Sequence, residues 1–234
     1  MMETTTNNLQ NIKRPSWILN LTEGIRATFE IIKCLFFMLF YRYEKKGNNR
    51  PILVVPGLLT SDISTYLMRR FIQKHGYTAY GWTLGRNLGN VDGLKVLSNI
   101  IEQLYQTHHQ KVTLIGWSLG GIYVRELAKE KPHLVDQIIT MGSPFAAPDA
   151  PNHALWVYNL FNKSQKIDPI WWAQLPSPAP VRTTAIYSKF DGIVPWQACM
   201  EEIENDTHRN VEVSGSHFGF PFNVAVLKTI ITLL

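Results

Sequence analysis

From Pro51 to the C-terminus, short apolar runs closed by glycine, proline or polar turns alternate with segments of helical period. The runs are "PILVV", "YTAYGWTL", "KVTLIGW", "VDQIITM", "TTAIYS" and "RNVEVSG". Between the first two, Asp62 is placed to cap a helix whose buried face carries Leu67, Phe71 and Ile72. A second helix near 92–107 repeats Leu94, Leu97, Ile101, Leu104 and Tyr105 at helical spacing. Residues 119–130 form a third, and "NVAVLKTIITLL" closes the chain as a fourth. Strands that alternate with helices lie side by side in a mostly parallel sheet, with helices on both faces. A chain of 234 residues, 45% hydrophobic and 18% charged, can bury a complete core for one such α/β domain. The reading places that domain at 51–234, after an N-terminal tail and helix at 1–50.

The stretch "VTLIGWSLGG" carries the chemistry. Gly116-Trp117-Ser118-Leu119-Gly120 fits G-x-S-x-G at the end of one strand and the start of a helix. Side chains two residues either side of a serine on so sharp a turn would collide across it, so both positions call for glycine. Gly121 adds room for the helix to pack. The hydroxyl then stands above the carboxyl edge of the sheet, near a helix N-terminus that favours negative charge. A serine hydroxyl needs a base to become nucleophilic, and the base needs an acid to hold its tautomer.

In this strand–turn–helix setting the partners follow in the order acid, then histidine. Asp191, in "KFDGIVP" after the fifth strand, is the acid. Asp149 and Asp168 have no strand before them, and Glu201 and Glu202 fall on a short helix after Pro195. His217, in "VSGSHFG" between the last strand and the last helix, is the base. Of the remaining histidines, His208 precedes that strand and is expected in solvent, and His75, His108 and His109 sit near helix ends. His133 and His153 lie in loops. Backbone amides of Leu58, after the first strand, and of Leu119 are placed to receive an oxyanion, with Gly57 allowing close approach. Arg86 and Asn87 in "GRNLGN" are read as loop support.

Residues 145–180 break the rhythm, with Pro148, Pro151, Pro176, Pro178 and Pro180 among aromatics. So long an excursion suggests a lid or cap, with Trp156, Phe161, Trp171 and Trp172, together with Trp117, as candidates for a pocket wall.

The N-terminal segment is distinct. Of the net charge of +5, +4 lies in residues 1–50, which rules against a basic nucleic-acid groove across the body. From Trp17, the positions Ile18, Leu21, Ile25, Phe29, Ile32, Phe36 and Phe40 make a helical stripe. Spanning a bilayer is disfavoured. Leu, Ile and Phe between 18 and 40 favour insertion by about 4–7 kcal/mol, while Arg26, Glu30 and Lys33 each cost about 2.5–3.5 kcal/mol near the centre. Two readings stay open: the stripe packs on the protein's own body, or it lies on a lipid surface with "RYEKKGNNR" facing anionic headgroups. No secretory cleavage pattern is visible, and the expected location is cytoplasmic, with peripheral membrane contact through 17–50. Cys34 and Cys199 read as separate buried thiols, and no metal-ligand set or cofactor motif is present in the pattern.

On "PGLL", "GWSLGG", "FDGIVP" and "GSHFG" the sequence resembles the α/β-hydrolase superfamily, serine esterase and lipase branch, and compact bacterial members in particular. The resemblance covers about Pro51 to the C-terminus. It implies the α/β-hydrolase fold with a short cap, Ser118 as nucleophile, Asp191 as acid, His217 as base, and Leu58 and Leu119 as oxyanion donors. It differs from many lipases in carrying Pro56-Gly57 where they have His-Gly. The activity it implies is cleavage of a carboxylic ester, with a hydrophobic acyl group suggested by the aromatic excursion. Thioester hydrolysis, acyl transfer, or a non-catalytic binding scaffold are the alternatives.

Overall fold

The structure is a computed structural model that describes residues 12–90, 92–155, 158 and 169–234. Its elements are α1 (Trp17–Phe40), β1 (Pro51–Val55), α2 (Tyr66–Lys74), β2 (Thr78–Gly81), α3 (Asp92–His108), β3 (Val112–Trp117), α4 (Leu119–Glu130), β4 (Val135–Met141), α5 (Pro169–Gln174), β5 (Arg182–Tyr187), β6 (His208–Glu212) and α6 (Val224–Leu233). Single 3-10 turns occupy Trp196–Cys199 and Phe220–Phe222. Trp156, Phe161 and Asp168, singled out from the sequence, lie outside the described residues.

Six strands pair in parallel in the order β2-β1-β3-β4-β5-β6. The chain leaves β1 towards β2 and then returns to the other side of β1 as β3. That reversal opens a crevice beyond the carboxyl ends of β1 and β3, the place where ligands bind in open α/β sheets. The loop at Gly57 and the turn at Ser118 both emerge there.

Alternation along the central strands supplies two cores. Ile52, Val54, Ile115 and Trp117 face α2 and α6, through Phe71, Ile72, Leu227 and Ile230. Leu53, Val55 and Leu114 face α3 and α4, through Leu97, Ile101, Val124 and Leu127. Because β1 and β3 are covered on both sides, every residue of both strands is buried, which is why their sequences run apolar without alternation. Each fully buried Leu, Ile or Phe contributes about 1.5–3 kcal/mol. β6 closes one edge with half-buried or exposed polar residues, which blunt it against further pairing.

Two local expectations are corrected. Asp62 does not cap α2; Thr65 holds that position. The Asp62 carboxylate instead accepts from the amides of Trp82 (2.9 Å) and Thr83 (3.0 Å), pinning the end of β2. It lies so close to Gly81 that a Cβ there would strike it. His208 is not free in solvent: it opens β6, half-buried, with Nε2 3.0 Å from the Ala179 carbonyl.

Helix α1 departs most from expectation. It docks on the body, but not through the apolar stripe: Ile18, Leu21, Ile25, Phe29, Phe36 and Phe40 are all 60–77% exposed. The opposite stripe, Asn20, Glu23, Ala27, Glu30 and Cys34, also steps by three and four, and this one lies on the protein. Glu23, Ala27 and Cys34 are buried. The loops beneath the first half of α1 present backbone amides that no strand satisfies, so carboxylates fit there better than apolar side chains. Past Cys34 the contact turns mainly apolar, where Phe37 and Tyr41 meet Phe71. Cys34 and Cys199 are both buried and unpaired.

Candidate active site

Ser118 joins β3 to α4 with φ 53° and ψ −122°, a conformation that costs a non-glycine residue about 1–3 kcal/mol. Its neighbours hold it there. The Ser118 amide donates to the Met141 carbonyl (2.8 Å), and the Gly121 amide donates to the Ser118 carbonyl (2.9 Å). A Cβ on Gly116 would strike the backbone of Gly120 and Gly121; one on Gly120 would strike the carbonyls of Val55 and Pro56; one on Gly121 would strike Ser143. The glycines are therefore needed because the turn is pressed against β1 and the loop after β4, as well as against itself.

His217 reaches the same point from the loop between β6 and α6. Its Nε2 is 3.0 Å from Ser118 Oγ and its Nδ1 is 2.6 Å from Asp191 Oδ2. All three residues are buried. Asp191, just beyond β5, is aimed by its other oxygen, which accepts from the amides of Ile193 and Val194, both at 2.8 Å. The Trp117 indole donates to the His217 carbonyl (3.1 Å). Burial is the largest influence on the His217 pKa and pulls it down. The Asp191 charge and hydrogen bond and the Glu23 charge together outweigh it, so the pKa lies above the usual histidine value.

The amides of Leu58 and Leu119 have no acceptor among the described residues, and both residues line the same cavity as Ser118. A Cβ on Gly57 would sit 3.2 Å from Ser118 Cβ, so the first loop runs close beside the serine. Asn87 is buried behind that loop: its Nδ2 donates to the Pro56 carbonyl, its Oδ1 accepts from Gly89, and its own carbonyl accepts from Leu59 (2.6 Å). Arg86 is exposed and makes no hydrogen bond or ion pair within the described structure. It gives the loop no visible support.

The cavity beside Ser118 is open to solvent, and the space it encloses together with its mouth is about 700 Å³. Its walls are largely apolar, with Leu119, Ile122, Leu155, Trp171, Trp172 and Val194 among them. Trp171 and Trp172 are therefore wall residues, the latter tethered by its indole N–H to Asp149 (3.0 Å). Trp117 is not. As the residue next to Ser118 it points to the opposite side of the sheet from α4, into the core beneath the histidine loop. Among the described residues no group of three or more His, Cys, Asp or Glu is placed to hold a metal ion.

Residues 78–182 match the family described as "PGAP1-like alpha/beta domain". No curated protein sequence matches the chain. Solved structures do. The Bacillus licheniformis lipase BlEst2 is 18% identical with a TM-score of 0.58, over 82% of this chain and 95% of that one. The Paleococcus ferrophilus monoacylglycerol lipase is 14% identical with a TM-score of 0.57, over 82% and 96%. Aspergillus fumigatus lipase B is 17% identical with a TM-score of 0.58; the match covers 78% of this chain but only 52% of that lipase. The chain is an α/β-hydrolase-fold protein. The fold that its motifs led us to expect is the one observed.

Within this α/β hydrolase fold, the feature that sequence reasoning missed is the pair of carboxylates on α1. Glu23 is 1% exposed. It accepts from the amides of Gly192 (2.8 Å), His217 (3.1 Å) and Phe218 (3.0 Å) and from Arg26 (2.7 Å). It thus joins the loop of Asp191 to the loop of His217. About two helical turns on, Glu30 accepts from the Ser216 amide (3.0 Å) and hydroxyl (2.6 Å) and from Asn223 (3.2 Å). The packing explains two more glycines: a Cβ on Gly192 would run into the backbone of Leu19 and Asn20, and one on Gly219 into Glu30. The only advance signal was the second stripe of period three and four on α1, which carries both acids.

Proposed function

We propose that this α/β-hydrolase-fold protein is a serine hydrolase of carboxylic esters with a hydrophobic acyl group. The observation that carries the reading is the continuous chain Ser118–His217–Asp191 at the mouth of an apolar cavity. His217 Nε2 takes the Ser118 proton as the oxygen attacks the ester carbonyl. The carbonyl oxygen, now negative, receives hydrogen bonds from the Leu58 and Leu119 amides. Asp191 stabilises the imidazolium, which then protonates the departing alcohol. A water takes the alcohol's place, gives its proton to His217, and releases the acid from Ser118. The acyl group lies along Ile122, Trp171 and Trp172.

The reading is favoured by the lipases that share the fold, although they share it at low identity. Its test is a chain-length series of p-nitrophenyl esters together with a fluorophosphonate probe. Ser118 is labelled, long or medium acyl chains are preferred, and Ser118→Ala loses both labelling and about 10^5–10^6-fold in kcat without unfolding. Full activity in Ser118→Ala, or no hydrolysis of any chain length by a well-folded protein, overturns it.

A further inference from the structure

An apolar face on a docked helix calls for an occupant. The exposed stripe of α1 runs its whole length, 24 residues or about 36 Å, and no described residue covers it. It is continued on the body by Phe190 and Phe218, which are 52% and 45% exposed. Both are tied to α1 through their backbones: Arg26 donates to the Phe190 carbonyl and the Phe218 amide donates to Glu23. The patch therefore extends from α1 to the two loops that carry Asp191 and His217. Monomeric soluble proteins rarely expose a contiguous patch larger than a few hundred Å² without a binding role.

Charge selects the occupant. The two carboxylates of α1, Glu23 and Glu30, are both turned inward and engaged. Lys33 on α1, and Arg42 and Lys45 just beyond it, are exposed and make no ion pair within the described structure. The outward side of this segment is thus apolar with cations at its margin and no carboxylate on the helix. A second copy of the chain fits less well. A helix pair needs charged residues beside its apolar seam to set register and partner. Here Lys33 stands beside the stripe with both carboxylates of the helix engaged on the body, so a second copy offers it no partner, and on the other flank Trp17 and Leu35 widen the apolar face instead of bounding it. No helix of the described residues is long and apolar enough to cross a membrane.

We propose that α1 lies in the interfacial plane of an anionic lipid bilayer, its Ile, Leu and Phe stripe among the acyl chains and Lys33, Arg42 and Lys45 at the headgroups. This goes beyond the ester chemistry and does not require it. The same helix holds the histidine loop by its inner face, so the docked protein would present the rim of the Ser118 cavity towards the lipid.

The test is flotation of the full chain with vesicles of ether-linked phosphatidylcholine, alone or mixed equally with ether-linked phosphatidylglycerol. Ether lipids cannot be consumed by an esterase, so binding and hydrolysis are scored apart. Binding to the mixed vesicles is expected to exceed binding to phosphatidylcholine by tenfold or more and to weaken in 0.5 M salt. The triple variant Ile25→Ser, Phe29→Ser, Phe36→Ser is expected to lose tenfold or more of that binding while keeping its fluorophosphonate labelling and circular dichroism. Lys33→Glu with Arg42→Glu, which touches no apolar residue, should lose the preference for the anionic vesicles. The proposal is overturned if neither vesicle is bound, or if binding survives both variants. It is equally overturned if sedimentation shows a dimer that the triple variant dissociates and vesicles are not bound.

Discussion

The two halves of the Ser118–His217 contact are held in place by different means. Ser118 is fixed by backbone: a strand, a helix start and three glycines pressed against β1 and the loop after β4. His217 is fixed by side chains of a helix far away along the chain, through Glu23, 194 residues before it, and, at the neighbouring Ser216, through Glu30. The first arrangement is local and rigid, because every contact is between atoms that have nowhere to go. The second depends on α1 remaining docked. A loop held by remote acceptors is the half that a substitution, or a force on the helix, can loosen without unfolding the sheet.

The comparison is broken most severely on the rigid side. Gly120→Ala puts a methyl group into the carbonyls of Val55 and Pro56. Overpacking of this kind costs about 1–3 kcal/mol, and a displacement near 1 Å at a reacting group can cost about 100-fold in rate. We expect a loss of 100-fold or more in kcat on a soluble ester with a modest fall in Tm. Near-wild-type turnover would show that the turn has slack and that the contrast between the two halves is false.

The side-chain clamp should fail more gently and in two separable ways. Glu23→Ala leaves the amides of Gly192, His217 and Phe218 buried without an acceptor, and each unsatisfied group costs about 1–3 kcal/mol. A clear fall in Tm and roughly a 10- to 100-fold loss of kcat are expected. Glu23→Gln keeps the acceptor oxygen that serves Gly192 and His217 but removes the charge. That charge helps hold the His217 pKa above its ordinary value. In the proposed mechanism His217 works as neutral imidazole, so lowering its pKa moves the acid limb of kcat/KM to lower pH. The alkaline plateau should change little. An acid limb that stays in place in a folded Glu23→Gln protein would leave Glu23 with a scaffolding role alone.

These expectations mark what was readable beforehand. The strands, the crossover helices and the parallel sheet followed from alternation of apolar runs, because β1 and β3 must be buried on both faces and their composition reflects it. The meeting of Ser118, Asp191 and His217 was legible because each follows a strand and the sheet brings those ends to one edge. What sequence could not reveal was which way α1 faces. An apolar stripe of period 3.6 ordinarily marks the buried side. Here the loops beneath α1 demanded hydrogen-bond acceptors, and unmet backbone amides are not visible as a pattern of residue types. Trp117 was misread for a related reason: next to the serine in sequence, it is on the other face of the sheet because side chains alternate along a strand.

The smallest effect, and the sharpest on how the clamp is divided, belongs to Glu30→Gln. One Glu30 oxygen accepts from the Ser216 amide and Asn223, and the amide oxygen of glutamine can serve both. The other accepts from the Ser216 hydroxyl. A hydroxyl both donates and accepts, so it can turn to receive the new NH2 group, which a backbone amide such as that of Phe218 cannot do. Glu30→Gln should therefore keep most of its stability and lose only a few-fold in kcat, with a smaller shift of the acid limb than Glu23→Gln, since the carboxylates that raise the His217 pKa are Asp191 and Glu23. Glu30→Ala, which removes the acceptor, should cost more. If Glu30→Gln instead equals Glu23→Gln in both pH profile and Tm, the two carboxylates act as one charged unit, and the histidine loop is held by the field of α1 rather than by individual hydrogen bonds.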